Sequence, residues 1–159
     1  MQSMGTGSRS MIMHPDAREH YEYLRHIILA ARDADDELVL ISGMAEGFDE
    51  AIAKIGMREG IPYIACVPNP TYGNYYWRDH SVTGRNRIET FRELMSHAQD
   101  IIFVCNSIYQ NGEHSNFVRN QYMVDICDMA YVYKPQSSGT RDAVRRLDRA
   151  EKPYFILPF

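Results

Sequence analysis

The sequence predicts an α/β protein: a Rossmann-like, doubly wound, mostly parallel sheet of five to six strands with helices on both faces. Three observations predict it. Short apolar runs alternate with stretches of helical periodicity, the pattern of βα units. The runs are near-continuously apolar, as in strands covered on both faces. Turns rich in glycine and hydroxyl residues follow several of them and open helices. The 159 residues read as a single domain, 1–159. At this length a chain buries roughly 68–70% of its unfolded surface, enough for a core without metal or disulfide staples.

Taken in order, Met1–Met4 is the only candidate for a first strand. It is either a short sixth strand or an unstructured start to a five-stranded sheet. A helix follows from Pro15, a good first-turn residue, to Asp33, with Ala17, Leu24, Ile27, Ile28 and Ala31 on one face. The run Glu37–Ser42 is a strand, and Phe48 opens a helix carrying Ala51, Ile52 and Ile55. After the strand Ile61–Pro68 comes a long aromatic loop, Asn69–Arg85. The next helix, Arg85–Ala98, turns Ile88, Phe91, Leu94 and Met95 inward. Strand Asp100–Cys105, polar stretch Tyr109–Ser115, helix Asn116–Cys127 and strand Met129–Tyr133 come next. The last helix begins after Gly139-Thr140 with Ala143, Val144, Leu147 and Ala150 as its buried stripe, and Pro153–Pro158 is the final strand. There is no internal repeat or interdomain linker.

Seventeen Lys+Arg against twenty-one Asp+Glu leave a net charge of −4, with 45% hydrophobic and 24% charged residues. That is a globular composition, not a disordered or coiled-coil one. The mild acidity speaks against a chain-wide nucleic-acid binder. No run of about 18 apolar residues offers a membrane span, and MQSMGTGSRS lacks the basic and apolar regions of a signal peptide. Cys66, Cys105 and Cys127 are odd in number and lie apart, which suits reduced core thiols in a cytoplasmic protein. With no C-x-x-C or paired Cys/His spacing, no metal is expected, and no cofactor is required.

In an open α/β sheet the ligand lies outside the carboxyl ends of the strands, so the strand-to-helix turns carry the chemistry. In Gly5-Thr6-Gly7-Ser8-Arg9, two glycines let backbone approach an anion while the hydroxyls and Arg9 supply donors. Ser42-Gly43-Met44-Ala45-Glu46-Gly47-Phe48-Asp49 has the pattern G-x-x-x-G-x-D, whose amides could cradle a phosphate at a helix N-terminus. Asp49 is there either a ribose contact or a capping carboxylate. Ser138-Gly139-Thr140-Arg141 offers hydroxyls and free amides, or an ordinary N-cap. Turns on different strands of one parallel sheet open on the same edge, so their convergence points to a phosphate-bearing ligand.

These motifs, with Arg119-Asn120-Gln121-Tyr122-Met123-Val124-Asp125 and Trp77, keep an order that resembles the SLOG superfamily over nearly the whole chain. The YspA/YpsA-like branch is the nearest in pattern. The superfamily is related to the DNA-processing protein DprA and to the lonely-guy phosphoribohydrolases. The resemblance implies nucleotide binding, with Gly7, Arg9, Gly43, Glu46, Asp49, Gly139 and Thr140 around the ligand. It also marks a departure. The phosphoribohydrolases carry a glutamate three residues after the motif threonine; here that position is Ala143, and Asp142 points about 100° away around the helix.

Other residues complete the expectation. Arg119 could grip a phosphate and Asn120 a base or ribose edge, unless they are a surface arginine and a helix cap. Tyr72, Tyr75, Tyr76 and Trp77 form a lid, stack on a base, pack against the sheet edge or make a dimer interface, with Trp77 the best single candidate. Arg141, Arg145 and Arg149 form a basic stripe that interleaved acids neutralise in a solvated face. Glu46 and Asp49 are the one carboxylate pair available for catalysis.

The reading is therefore a protein that senses or sequesters a nucleotide or nucleotide derivative. Its site comprises Gly5, Thr6, Gly7, Ser8, Arg9, Ser42, Gly43, Ala45, Gly47, Trp77, Arg119, Asn120, Ser138, Gly139, Thr140 and Arg141, and a homo-oligomer is expected. A nucleotide N-glycosidase or ribosyl transferase using Glu46 or Asp49 is the first alternative. A single-stranded DNA-binding module is the second.

Overall fold

The computed structural model describes residues 1–159. Six strands form one parallel sheet: β1 (Gln2–Gly7), β2 (Val39–Ser42), β3 (Tyr63–Val67), β4 (Asp100–Phe103), β7 (Met129–Tyr133) and β8 (Tyr154–Ile156). Their spatial order is β4-β3-β2-β1-β7-β8, and β5 (Tyr109–Gln110) pairs with β6 (Glu113–His114) as a separate antiparallel hairpin. The amino-terminal stub is thus a strand, and a central one. The chain builds outward from β1 through β2, β3 and β4, then crosses back to lay β7 on the other side of β1. That reversal is the topological switch point at which α/β folds open a crevice.

Helices cover both faces. Helices α1 (Ala17–Ala34), α2 (Phe48–Glu59) and α3 (Ile88–His97) bury Leu24, Ile28, Phe48, Ile52, Ile55, Phe91 and Leu94 against Leu40, Tyr63, Ala65, Val67 and Tyr131. On the other face, α4 (Ser115–Ile126) and α5 (Ser138–Arg149) press Met123, Val124 and Leu147 onto Met4, Ile41, Ile64 and Cys66. The three cysteines are buried and unpaired. No helix is long and apolar enough to cross a membrane.

Three details correct the sequence expectation. The outer strands are not covered on both faces: Ile101 and Phe103 of β4 and Phe155 and Ile156 of β8 are exposed, as edge strands permit. Ala150 lies beyond the buried stripe of α5, which ends at Leu147. The loop Asn69–Arg85 is not wholly irregular, because Gly73–Asp79 winds into a π-helical turn. Such turns are rare and concentrate at functional sites.

Candidate functional site

A cleft of about 510 Å³ opens where β1 and β7 end, at the switch point. β1 pairs with β7 as far as Gly7 but with β2 only as far as Met4, so its last residues project past β2. Alternation along the strand then divides their roles. A Cβ on Gly7 would meet Phe48 Cγ at 2.6 Å, and one on Gly5 would strike Ile52. Both positions therefore need glycine for α2 to pack close against β1. All three residues, Gly5, Thr6 and Gly7, line the cleft, Thr6 with its side chain and the glycines with backbone.

Ser8, Arg9 and Ser10 form one rim of the cleft, and Ser137, Ser138, Gly139 and Thr140 form the facing one. Ser137 caps α5, its Oγ accepting from the Thr140 amide at 3.4 Å. Ser138, Gly139 and Thr140 thus belong to the first helical turn and not to a loop before it. The Ser138 and Gly139 amides have no acceptor inside the helix and stand at its positive end. The exposed Arg9 guanidinium lies 5.1 Å from the Tyr76 ring centroid, a cation–π contact on the same rim.

The floor is built from α2 and α4. Arg119 and Asn120 do not precede a helix; they sit in the second turn of α4 and are buried. Arg119 donates to the Gly43 carbonyl and, at 3.0 Å, to Asn120 Oδ1. Asn120 Nδ2 donates to the Gly139 carbonyl at 3.2 Å and to Asp142 Oδ2 at 3.1 Å, tying α4 to α5. Asp142 is further held by Arg146 Nε at 2.8 Å, so its carboxylate is engaged beneath the cleft; Ala143 lies in the core. Asp49 lines the cleft and accepts from the Ala45 amide at 3.3 Å. Burial pushes its carboxyl up to about 6, against the opposing pull of the Arg119 charge and that amide.

Three polar groups around this cleft make no hydrogen bond within the chain, and one of them, Asn116 Oδ1, is itself a buried atom. Tyr72 is 3% exposed and its hydroxyl bonds nothing; burial pushes its pKa up to about 12. Arg119, 7% exposed, uses Nε and Nη1 but not Nη2. Asn116 Oδ1 is unpaired, while its Nδ2 donates to Tyr76 Oη at 3.3 Å. Buried polar atoms in folded proteins almost always have partners, so Asn116 Oδ1 is the exception here. The Tyr72 hydroxyl and Arg119 Nη2 beside it are free to bond a ligand.

Other predicted site residues lie outside the cleft. Glu46, 1% exposed, accepts from Ser81, Val82 and Arg87. It cannot serve as a base or nucleophile at this cleft, which leaves Asp49 as the one member of the predicted pair that lines it. Ser42 Oγ donates to the Asp49 carbonyl and accepts from the Met44 amide. Gly43 backs onto Arg119 and Asp49, and Gly47 (φ 83°) packs on the Ser8 and Arg9 backbone. Trp77 is fully buried and donates from Nε1 to the Met44 carbonyl, so it stacks on no ligand. Arg141 is exposed beyond the rim. The G-x-x-x-G-x-D turn is no phosphate cradle. The Met44, Ala45, Gly47 and Phe48 amides already donate to Ser42 Oγ, Asp49 Oδ2, Glu50 Oε1 and the Ser8 carbonyl.

Sequence reasoning missed Ser10, Val82, His114, Asn116, Phe117 and Met123 in the cleft wall. His114 caps α4 by accepting from the Asn116 amide at 3.1 Å, a hairpin-to-helix junction that no local motif announces. Separately, potential ligand atoms of His14, Asp16 and His20 lie within 4.8 Å of one another. His14 Nδ1 there accepts the Asp16 amide, and His20 Nδ1 bonds the Tyr133 hydroxyl.

No protein-family model matches the chain, and no curated protein matches its sequence. Solved structures do match by fold. DNA processing protein A (DprA) from Streptococcus pneumoniae superposes with a TM-score of 0.68 at 19% identity, over 99% of this chain and 50% of that one. DprA from Helicobacter pylori, solved for its single-stranded DNA binding mode, superposes with a TM-score of 0.63 at 19% identity, over 100% and 66% respectively. The fold is thus the DprA-like Rossmann fold, and the chain spans half to two-thirds of the length of these proteins.

Proposed function

We propose that the cleft binds a nucleotide or nucleotide derivative, held and not turned over. The observation that carries this reading is the set of unpartnered groups, Tyr72 Oη, Arg119 Nη2 and Asn116 Oδ1, around one concave surface at the switch point. The phosphate lies between Arg9, Ser8 and the first amides of α5, where an arginine and a helix N-terminus meet. The nucleoside extends toward Tyr72 and Tyr76, whose rings lie 4.7 Å apart. The motif order supports a YspA/YpsA-like assignment within the SLOG superfamily.

A second reading takes the same cleft as the seat of one nucleotide within a single DNA strand. Likeness in fold favours it, because the Helicobacter pylori neighbour was described for that binding mode. Arg141 and Arg149 of α5 form no ion pair and could continue a phosphate track; Arg145 lies 3.9 Å from Asp142. Competition separates the two readings. A labelled 5′-mononucleotide is bound first, and a short single-stranded oligonucleotide is titrated against it at two salt concentrations. The free-nucleotide reading predicts displacement no better than by the mononucleotide, with a shallow salt dependence. The strand reading predicts tighter displacement, steeply weakened by salt. Absence of binding by either probe overturns both.

A further inference from the structure

We propose that Glu46, although outside the cleft, is a positioning residue. Its clasp with Arg87 holds the aromatic wall in place and thereby makes the site select nucleoside-bearing ligands over bare phosphate. The inference rests on the nucleotide reading and adds to it the device that sets selectivity.

The wall is carried on a strap, residues 69–87, that leaves β3 and ends at α3. Its two cleft-lining tyrosines, Tyr72 and Tyr76, come from the π-helical turn or its cap. Past Trp77 the strap loops out and closes on itself, the Arg87 amide donating to the Trp77 carbonyl at 2.8 Å. The Arg87 guanidinium lies 5.2 Å from the Trp77 ring centroid. The strap's first half is also tied to α4 through Asn69 and Tyr76 and packed on Phe91 of α3. The polar bonds of residues 77–87 to the body of the fold converge on the β2–α2 turn and the start of α2. Trp77 Nε1 reaches the Met44 carbonyl at 2.9 Å. Ser81 Oγ and the Val82 amide donate to the two Glu46 oxygens at 2.7 and 2.9 Å. Arg87 Nη1 bridges Glu46 at 2.8 Å and Glu50 at 2.9 Å, and Nη2 adds a second bond to Glu50. Lys54 completes the balance from the next turn of α2, 2.7 Å from Glu50.

Two carboxylates and two cations thus neutralise one another in a largely buried patch. Hydrogen bonds from Arg87 and Lys54 outweigh the effect of burial and hold the Glu50 carboxyl below its ordinary range. A buried carboxylate that accepts three hydrogen bonds from one loop fixes that loop's position. None of these side chains belongs to the phosphate rim, whose amides and hydroxyls come from α5 and the end of β1; the rim touches the wall through Arg9 on Tyr76. The wall can therefore be loosened while the α5 amides of the anion seat stay in place.

The test compares wild type with Glu46→Gln, which keeps an acceptor for Val82 but sets an amide donor against Arg87. Ser81→Ala, which removes a single bond to Glu46, serves as the milder variant should Glu46→Gln fold poorly. Calorimetry measures affinity for adenosine 5′-monophosphate and for inorganic phosphate. Emission from Trp77, the single tryptophan, reports the clasp directly. We expect Glu46→Gln to lose about tenfold or more in nucleotide affinity, the scale of one weakened stacking contact. Phosphate affinity should change less than twofold and Trp77 emission should shift to the red. Ser81→Ala should move the same quantities the same way by less. A parallel loss of both ligands, or unchanged nucleotide affinity, overturns the inference while leaving the binding reading standing. A wild type that binds no nucleotide overturns both.

Discussion

The indole Nε1 of Trp77 donates a 2.9 Å hydrogen bond to the carbonyl oxygen of Met44, and both residues are completely buried. Met44 adopts a left-handed backbone conformation (φ 61°), uncommon for a residue with a long side chain. The turn between β2 and α2 is thus bent into a shape that presents its carbonyl to the strap, and the strap's largest side chain closes over it. Aromatic packing and backbone satisfaction are here one contact.

Trp77→Phe keeps a ring beside Phe91 but leaves the Met44 carbonyl buried without its donor. The expected cost is about 2 kcal/mol or more, from the lost bond and the smaller ring. Urea unfolding measures it as a lower midpoint at unchanged slope.

The glycines of the first and last motifs should respond in opposite ways. Gly7→Ala drives a Cβ into Phe48, so α2 must move off the sheet. A destabilisation of about 1–3 kcal/mol is expected, typical of overpacking. A Cβ on Gly139 meets nothing within 4 Å. In the first turn of α5, Gly139→Ala should be neutral or stabilising by up to about 1 kcal/mol. Thermal melts of the two variants give the comparison.

Asp49 gives the stability a pH dependence of definite sign. Its folded pKa, about 6, exceeds the ordinary 3.8, so the native state binds a proton more tightly than the unfolded chain. The associated stability is fully present below about pH 4 and is lost as pH rises through 6. Two units at about 1.4 kcal/mol each put the penalty near 3 kcal/mol at neutral pH. Asp49→Asn should therefore stabilise the protein at pH 7.5 by up to that amount and leave it unchanged at pH 4. Urea melts at the two pH values check this.

Ser3 Oγ, near the start of the central strand β1, is buried with no hydrogen-bond partner. Removing an unsatisfied hydroxyl removes its desolvation cost, so Ser3→Ala should raise stability by about 1 kcal/mol. The melting temperature measures it.

The fold was legible in the sequence because its signals are local. Continuous runs such as Met129–Tyr133 are long and apolar enough to identify themselves, and the apolar stripe of α3 repeats with helical period. The stub Met1–Met4 was ambiguous for a physical reason. A central strand ending in Gly-Thr-Gly has no side-chain bulk at two positions because α2 presses against them, which only tertiary packing reveals. The same masking affected the site. Glu46 and Asp49 stand three residues apart on one turn, yet one faces the strap and the other the cleft. Trp77 stayed open between stacking on a ligand and packing inward, because a long aromatic loop carries no sign of which ring turns in. The rim at Ser138–Thr140 was legible, since an N-cap serine is a local signal; His114 and Asn116 were not, since only the packing of α4 brings them in.

The central claim, that the unpartnered groups around the cleft serve a nucleotide, is tested most directly by calorimetric titration of adenosine 5′-monophosphate into wild type and Tyr72→Phe. The substitution removes one hydroxyl that bonds nothing in the chain and leaves the ring in place. The account predicts an unchanged or slightly raised melting temperature and about a tenfold loss of affinity, the worth of one hydrogen bond to the ligand. Equal affinity in the two proteins, or a fall in stability with binding untouched, would contradict it.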